Sequence, residues 1–267
     1  MPLELNTLVH CNGRRIFGLN LRVKNRPGVL ERIIRVISDR GLNIVAVLTS
    51  APSPTAEEGL IFICVDFTGR ESTKPHVVKE ISSLDVVYDV KLVEPTIAGI
   101  LYDESFFPIY LAGKRAIILD YSSIIGFIQG LKGRFSEDIA AVILYHAGYR
   151  VGQEIHKEYI RKSKIRDMPI PIANEILKPL LIAYGWCKIE VHGVFKDGIA
   201  LKAYNLWECE IQKPYYIEKG IKAKTSHYVR GFLAGVYENV FKGRTIVDEV
   251  KCLNMGDDYC LFQIKKT

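Results

Sequence analysis

From position 15 to position 94 the apolar residues switch between two periods. Ile16, Leu19, Leu21 and Val23, with Gly18 among them, alternate along Arg15–Val23 as in a strand. Asn25-Arg26-Pro27-Gly28 carries turn residues. Val29, Ile33, Val36 and Ile37 then share one face of a helix over Val29–Arg40, which Gly41 ends. A second strand is expected over Asn43–Ser50. The loop from Ala51 to Gly59 leads to a third strand over Leu60–Phe67, whose apolar run from Leu60 to Val65 places it in the middle of a sheet. A helix over Pro75–Ser83 and a strand over Val86–Val93 complete the order β-α-β-β-α-β, that of the ferredoxin-like split arrangement.

Residues 1–13 read as a loose lead-in with an unremarkable Cys11, so the first domain spans 14–96. Residues 97–113 form a joint. Pro108 and the acids Asp103 and Glu104 suggest a linker, but Leu101, Phe106, Phe107, Ile109 and Leu111 are too apolar to stay in water. The joint is therefore expected to pack on the second domain, 114–267.

That domain starts with a helix over Ile117–Leu131. Ser136 caps a second helix, with Glu137 and Asp138 in its first turn, that runs to about Lys162. Its expected inner face carries Ile139, Val142, Ile143, Ala147 and Val151. Asn174 caps a third helix reaching Tyr184. Trp186–Val194 and Ile199–Cys209 read as a hairpin around Lys196-Asp197-Gly198. Further on, Tyr228, Phe232, Val236 and Val240 recur at four-residue steps, with Gly231 and Gly235 alongside. Two glycines on one helix face point to the close approach of another backbone. Lys242-Gly243 ends this helix, and Thr245–Cys252 pairs with Tyr259–Ile264 about a turn of Asn254, Gly256, Asp257 and Asp258. The whole is α+β: a ferredoxin-like βαββαβ domain, then a mixed α/β domain with helices packed on an antiparallel sheet.

The last hairpin holds the candidate chemistry. Its turn brings Cys252 and Cys260 side by side, and Glu249 joins them if the strand bulges. Two thiolates and a carboxylate are three of the four ligands of a tetrahedral zinc site. Ser226 or His227, at the start of the preceding helix, is expected to lie above the hairpin. The spacing is not that of a CxxC pair, and from spacing alone the favoured reading is two reduced, half-buried cysteines in a hairpin.

Composition narrows the class. An apolar share of 48% and a charged share of 25% are those of an ordinary globular protein. The net charge of +6 is mild, and the densest basic run, Lys157–Arg166, suits a solvated helix end better than a nucleic-acid stripe. No nucleic-acid motif, signal peptide or membrane-spanning run is evident, so the cytoplasm is the expected compartment. Walker, GxGxxG, GxSxG and HExxH motifs are all missing, which argues against a catalyst of those kinds.

Two resemblances follow from particular residues. LRVKNRPGVLERIIRVISDRGLNIVAV, with Pro27-Gly28-Val29-Leu30 and Asn43-Ile44, resembles an ACT domain. That resemblance implies an amino-acid-like effector held by Asn25, Pro27, Gly28, Val29, Leu30, Asn43 and Ile44 across a dimer interface. The other alternative is that these residues only build the turn. SHYVRGFLAG, EVKC and GDDYCLFQI, with ILYHAGYRVGQEI and GWCKIEV, resemble a 4-vinyl reductase domain. This module is related to the Bet-type subunits of the TRAPP tethering complex and to phenol-responsive sensors. In its zinc-bearing members, Glu and Cys stand at Glu249, Cys252 and Cys260, and a further Cys stands where this chain has Ser226. The chain departs there, which leaves zinc with His227 or water, free thiols and a cross-hairpin disulfide all open.

The same resemblance implies an apolar ligand chamber lined by Tyr145, His146, Tyr149, Trp186, Trp207, Tyr228 and Phe232, against the alternative of a filled core. Together these readings describe a non-catalytic, cytoplasmic, homodimeric regulator of small-molecule ligands that acts through a protein partner, for example in transcription. The alternatives are an enzyme or accessory factor linked to tetrapyrrole vinyl-group reduction, and an assembly subunit.

Overall fold

Strand β2 (Ile16–Lys24) lies at the centre of the first sheet because its alternate residues face two different layers. In this computed structural model, which describes residues 2–53, 55–160 and 169–267, the sheet runs β3-β4-β2-β5. Here β3 is Asn43–Ser50, β4 Glu58–Asp66 and β5 Val87–Val93, all paired antiparallel. Helices α1 (Val29–Ser38) and α2 (Lys74–Ser82) cover one face and bury Ile33, Ile37, Val77 and Ile81 against Leu19, Leu21, Ile63 and Val65. The unit is ferredoxin-like, as the periodicity predicts.

The other face of that sheet is also covered, and this corrects the reading of the lead-in and the joint. Strand β1 (Leu8–His10) pairs with β6 (Ile100–Tyr102), and Val9, Cys11 and Leu101 bury against Phe62, Cys64 and Ala46. Strand β4 is therefore apolar from Leu60 to Val65, where both of its faces are covered. A short hairpin, β7 (Tyr110–Leu111) with β8 (Lys114–Arg115), follows. The chain divides between Ile117 and Ile118, so 97–113 belongs with the first unit.

The second unit is a sheet of order β11-β12-β10-β9 with helices packed on it. Its elements are α3 (Tyr121–Arg134), α4 (Glu137–Ile155), α5 (Ile170–Ala183), β9 (Lys188–Phe195), β10 (Gly198–Tyr204), α6 (Trp207–Lys219), α7 (His227–Phe241), β11 (Thr245–Lys251) and β12 (Cys260–Lys266). Four expectations are corrected. Helix α3 starts later than Ile117, where the Asp120 carboxylate accepts the Ser123 N–H at 2.9 Å. Asn174 is not a cap: it sits inside α5, donates to Ile170 O and accepts from Tyr237 Oη. Residues 207–209 leave the sheet for α6. Finally, Ser136 caps α4 as expected, but the buried residues of α4 are Ala140, Leu144, Gly148 and Gly152, while Ile139 and Val142 are half or more exposed. Position 162 and part of the basic run lie outside the described residues.

The small face of α4 is inward because α7 meets it backbone to backbone. A Cβ on Gly148 would lie 2.0 Å from Tyr228 O, and one on Gly152 2.1 Å from Phe232 O. Reciprocally, Cβ atoms on Gly231 and Gly235 would lie 1.9 and 2.1 Å from Tyr145 O and Tyr149 O. The close approach expected from Gly231 and Gly235 is thus present, matched by two glycines on the facing helix. On propensity alone, alanine would stabilise a helix by about 1 kcal/mol at such a position. Here the overlap is with a backbone carbonyl and must push the helices apart, a cost of about 1–3 kcal/mol. Gly231→Ala is therefore expected to lower the urea midpoint of the protein, against the direction propensity gives.

Candidate functional site

The β11–β12 hairpin carries an irregularity between Glu249 and Lys251. It gives the bulge that Glu249 needs to face the same way as the cysteines. After Cys252 the chain makes a short turn, Leu253–Met255, and Gly256 takes φ 98°, a left-handed value that suits glycine. Asp257 fixes this turn by accepting the Cys252 N–H at 2.9 Å. A third sulfur arrives from α6. Cys209, in the first turn of that helix, lies 3.6 Å from Cys252 Sγ and 3.5 Å from Cys260 Sγ. One donor atom from each of Cys209, Glu249, Cys252 and Cys260 falls within 4.8 Å of all the others, and all four residues are buried.

Polar neighbours hold these groups in place. Ser226 Oγ donates to Glu249 Oε1 at 2.6 Å, and Thr225 Oγ1 donates to Cys209 Sγ at 3.3 Å. Asn254 Nδ2 donates to Cys209 O at 3.1 Å and to Thr225 Oγ1 at 2.7 Å. The carboxylate of Glu208, fully buried, accepts the Tyr228 and Val229 N–H groups at 2.8 and 2.9 Å. It thereby serves the first turn of α7, where Ser226 makes no side-chain cap bond. Burial pushes both Glu208 and Glu249 up to about 8. Hydrogen bonding with Cys252 drives the Cys209 thiol upward, and the bonds from Cys209 and Cys260 hold Cys252 down. None of the six cysteines is in a disulfide.

Such a donor set suits a soft, tetrahedral divalent ion. Zinc at about 2.3 Å from each sulfur would set neighbouring sulfurs about 3.8 Å apart, close to the separations found. Both α6 and α7 start at the cluster, and helix N-termini favour thiolates there. His227 is not among the converging donors; burial lowers it to about 4, so its ring is neutral near pH 7.

The residues expected to line a ligand chamber separate into two groups. Trp186 packs on Trp207, Tyr228 and Phe232 at ring-centroid distances of 6.3, 5.6 and 5.0 Å, so these four form one aromatic cluster. The indole Nε1 of Trp207 is buried there without a partner. Tyr145 and Tyr149 are half-buried on α4, where Tyr149 Oη donates to Glu238, and His146 points to solvent. In the first unit, Asn25, Val29 and Leu30 line a cavity of about 280 Å³ with Thr49, Ser50 and Gly59. Pro27 and Gly28 form its turn, and Gly28 has φ 84°. Asn43 and Ile44 lie elsewhere, opposite Asp66 and Val65 at the far end of β3.

Cys209, Glu208, Thr225 and Asn254 escape a sequence reading that carries the strand after Gly198 through to Cys209. The signals for a helix are nevertheless present. Glu208 and Glu210 sit in its first turn, and Gly220 stands just past its last residue in a left-handed conformation.

Each of the two units matches a known family model over part of its length. The AHAS small subunit-like ACT domain model matches residues 19–89, and the 4-vinyl reductase domain model matches residues 217–266. The first unit thus carries an ACT-like domain, and the second ends in a 4-vinyl reductase domain. An uncharacterized protein of Methanocaldococcus jannaschii is 24% identical over 159 residues, 57% of this chain and 70% of the relative. Another from the same organism is 26% identical over 117 residues, 44% of this chain and 62% of the relative, so the chain spans less than two thirds of that one. Among solved structures, the phenol-responsive sensory domain of the transcription activator PoxR, solved with phenol, has a TM-score of 0.51 at 14% identity. It covers 62% of this chain and 84% of its own. That likeness establishes the fold of the second unit.

Glu208 is the sharpest structural dependency in this region. Glu208→Ala would leave two buried N–H groups of α7 without acceptors, at about 1–3 kcal/mol each. The expected result is a loss of about 2–4 kcal/mol in urea unfolding, with Glu208→Gln, which keeps an acceptor oxygen, losing less.

Proposed function

We propose that the chain is a non-catalytic regulator that reads two ligands, an amino-acid-like effector in its first unit and a small aromatic or apolar molecule in its second. The observation that carries this reading is the pairing, in one chain, of an ACT-like domain with a unit that shares the fold of a phenol-responsive sensory domain. For the first unit, the support is the cavity at the β2–α1 turn, where the left-handed Gly28 leaves the start of α1 open to a carboxylate. For the second, it is the aromatic cluster of Trp186, Trp207 and Tyr228, with a buried indole N–H that a hydroxyl or carboxylate oxygen would satisfy. Output passes to a protein partner, in transcription regulation in the cytoplasm. No helix among the described residues is long and apolar enough to cross a membrane.

A second copy of the chain completes the proposal. Ile139, Val142 and Ile143 form an apolar stripe along α4 that the glycine contact with α7 turns outward. In sedimentation at micromolar concentration the protein is expected to run as a dimer, and Val142→Glu with Ile143→Glu to run as a monomer.

The ligand test uses calorimetry against each common amino acid and a thermal shift with phenol. One amino acid should give saturable heat. Gly28→Asp should remove that heat with the fold retained: a Cβ at this position meets nothing within 4 Å, and the left-handed backbone costs about 1–2 kcal/mol. Phenol should raise the melting temperature through the second unit, and Trp207→Phe should weaken the shift. Absence of heat from every amino acid removes the effector half of the reading, and absence of a shift with phenol-like compounds removes the other.

A further inference from the structure

We infer that the second unit holds one zinc ion in a closed site of three thiolates and one carboxylate, and that Cys209, from the first turn of α6, supplies the fourth ligand. Ser226 is then a positioning residue, not a ligand. The sequence pattern alone leads to an incomplete set, Glu249, Cys252 and Cys260, and the family resemblance puts its further thiol where this chain has Ser226.

Geometry separates the candidates for the fourth place. Cys209 Sγ is within 3.6 Å of both other sulfurs, which are its neighbours at the corners of a tetrahedron. Ser226 Oγ also reaches the cluster, 3.0 Å from Cys209 Sγ, but its hydrogen is directed to Glu249 Oε1 at 2.6 Å. A neutral hydroxyl already committed as a donor is a far poorer zinc ligand than a thiolate, and its bond to Glu249 orients the carboxylate that does bind. His227 lies on the same turn as Ser226 but is outside the converging group. Thr225, Ser226 and Asn254 supply the outer donors to Cys209 and Glu249, each itself buried and each with a hydrogen bond to the set.

Chemistry decides the ion class. Three sulfurs and a carboxylate are too soft for magnesium or calcium, and four protein donors fill a tetrahedron with no position left for water. The ion would take the charge of groups otherwise buried together at a large desolvation penalty. Each thiol that binds releases its proton to solvent. The site is thus structural, and it links the starts of α6 and α7 to the terminal hairpin.

The test is metal content by mass spectrometry, with cobalt substitution as a second readout. Wild-type protein purified from zinc-supplemented cells should carry one zinc per chain, Cys209→Ser less than about a tenth of that, and Ser226→Ala a full equivalent with affinity lower by about tenfold. The double variant Cys209→Ser with Ser226→Cys should regain zinc, because a sulfur 3.0 Å from the lost one can re-enter the tetrahedron. Cobalt-loaded wild type and Ser226→Ala should show tetrahedral bands with charge transfer from three thiolates. This arm does not depend on Cys209→Ser folding. Full zinc in Cys209→Ser, loss of zinc from folded Ser226→Ala, a two-thiolate cobalt spectrum in wild type, or wild type with no zinc would each overturn the assignment.

Discussion

The contact between α4 and α7 sets the geometry on which the second unit depends. Four glycines, two on each helix, let backbone carbonyls take the places that side chains would fill. Helices packed this closely cannot rotate or slide without a clash, so the register of α7 is fixed. That register decides where its first turn lies. It places Ser226 against Glu249, and Tyr228 and Val229 against the carboxylate of Glu208. The same contact explains the outward apolar stripe of α4. Once the glycine face is inside, Ile139, Val142 and Ile143 have to face away.

A second constraint is electrostatic. Two carboxylates and three thiols are buried together beside a core that includes Phe232, Val236, Phe262 and Ile264. Ionised groups in such surroundings carry a penalty of several kcal/mol each unless something of opposite sign compensates. The structure offers several partial compensations. Helices α6 and α7 both start at the cluster, Glu208 receives two backbone N–H groups, and Glu249 receives the Ser226 hydroxyl. Their effect is limited, since both carboxyl groups still sit well above the usual carboxylate range. Backbone dipoles of this kind contribute about 0.3–1 kcal/mol each, so they cannot by themselves support several charges.

The first unit was legible in the sequence because its signals are local. Periods of two and of about 3.6 alternate cleanly, and β4 announced its central place by an unbroken apolar run. What escaped there was long-range: β1 and β6 are three-residue strands whose pairing joins positions 8–10 to 100–102, and no local pattern marks such a partnership. In the second unit, Gly231 and Gly235 announced a close backbone contact without naming its partner. The stripe of Ile139, Val142 and Ile143 misled, since an apolar face on a helix says only that something covers it, not that this chain does. The site was half legible. Glu249, Cys252 and Cys260 lie within twelve positions on one hairpin and could be read together. Cys209 lies more than forty positions before Cys252, behind a strand-to-helix transition, and only the fold brings it to the others.

The origin of the third sulfur matters for how the unit is held together. Trp207, Glu208 and Cys209 are consecutive in the first turn of α6, and each faces a different neighbour. Trp207 joins the aromatic cluster with Trp186 and Tyr228, Glu208 holds the first turn of α7, and Cys209 meets the two hairpin sulfurs. A sulfur at position 226 would instead belong to α7, one residue from Tyr228 on the other side of His227. With Cys209 in its place, the sulfur shares one helical turn with Trp207 and with the carboxylate that caps α7. Three consecutive residues thus tie the aromatic cluster, the first turn of α7 and the sulfur cluster to the start of one helix.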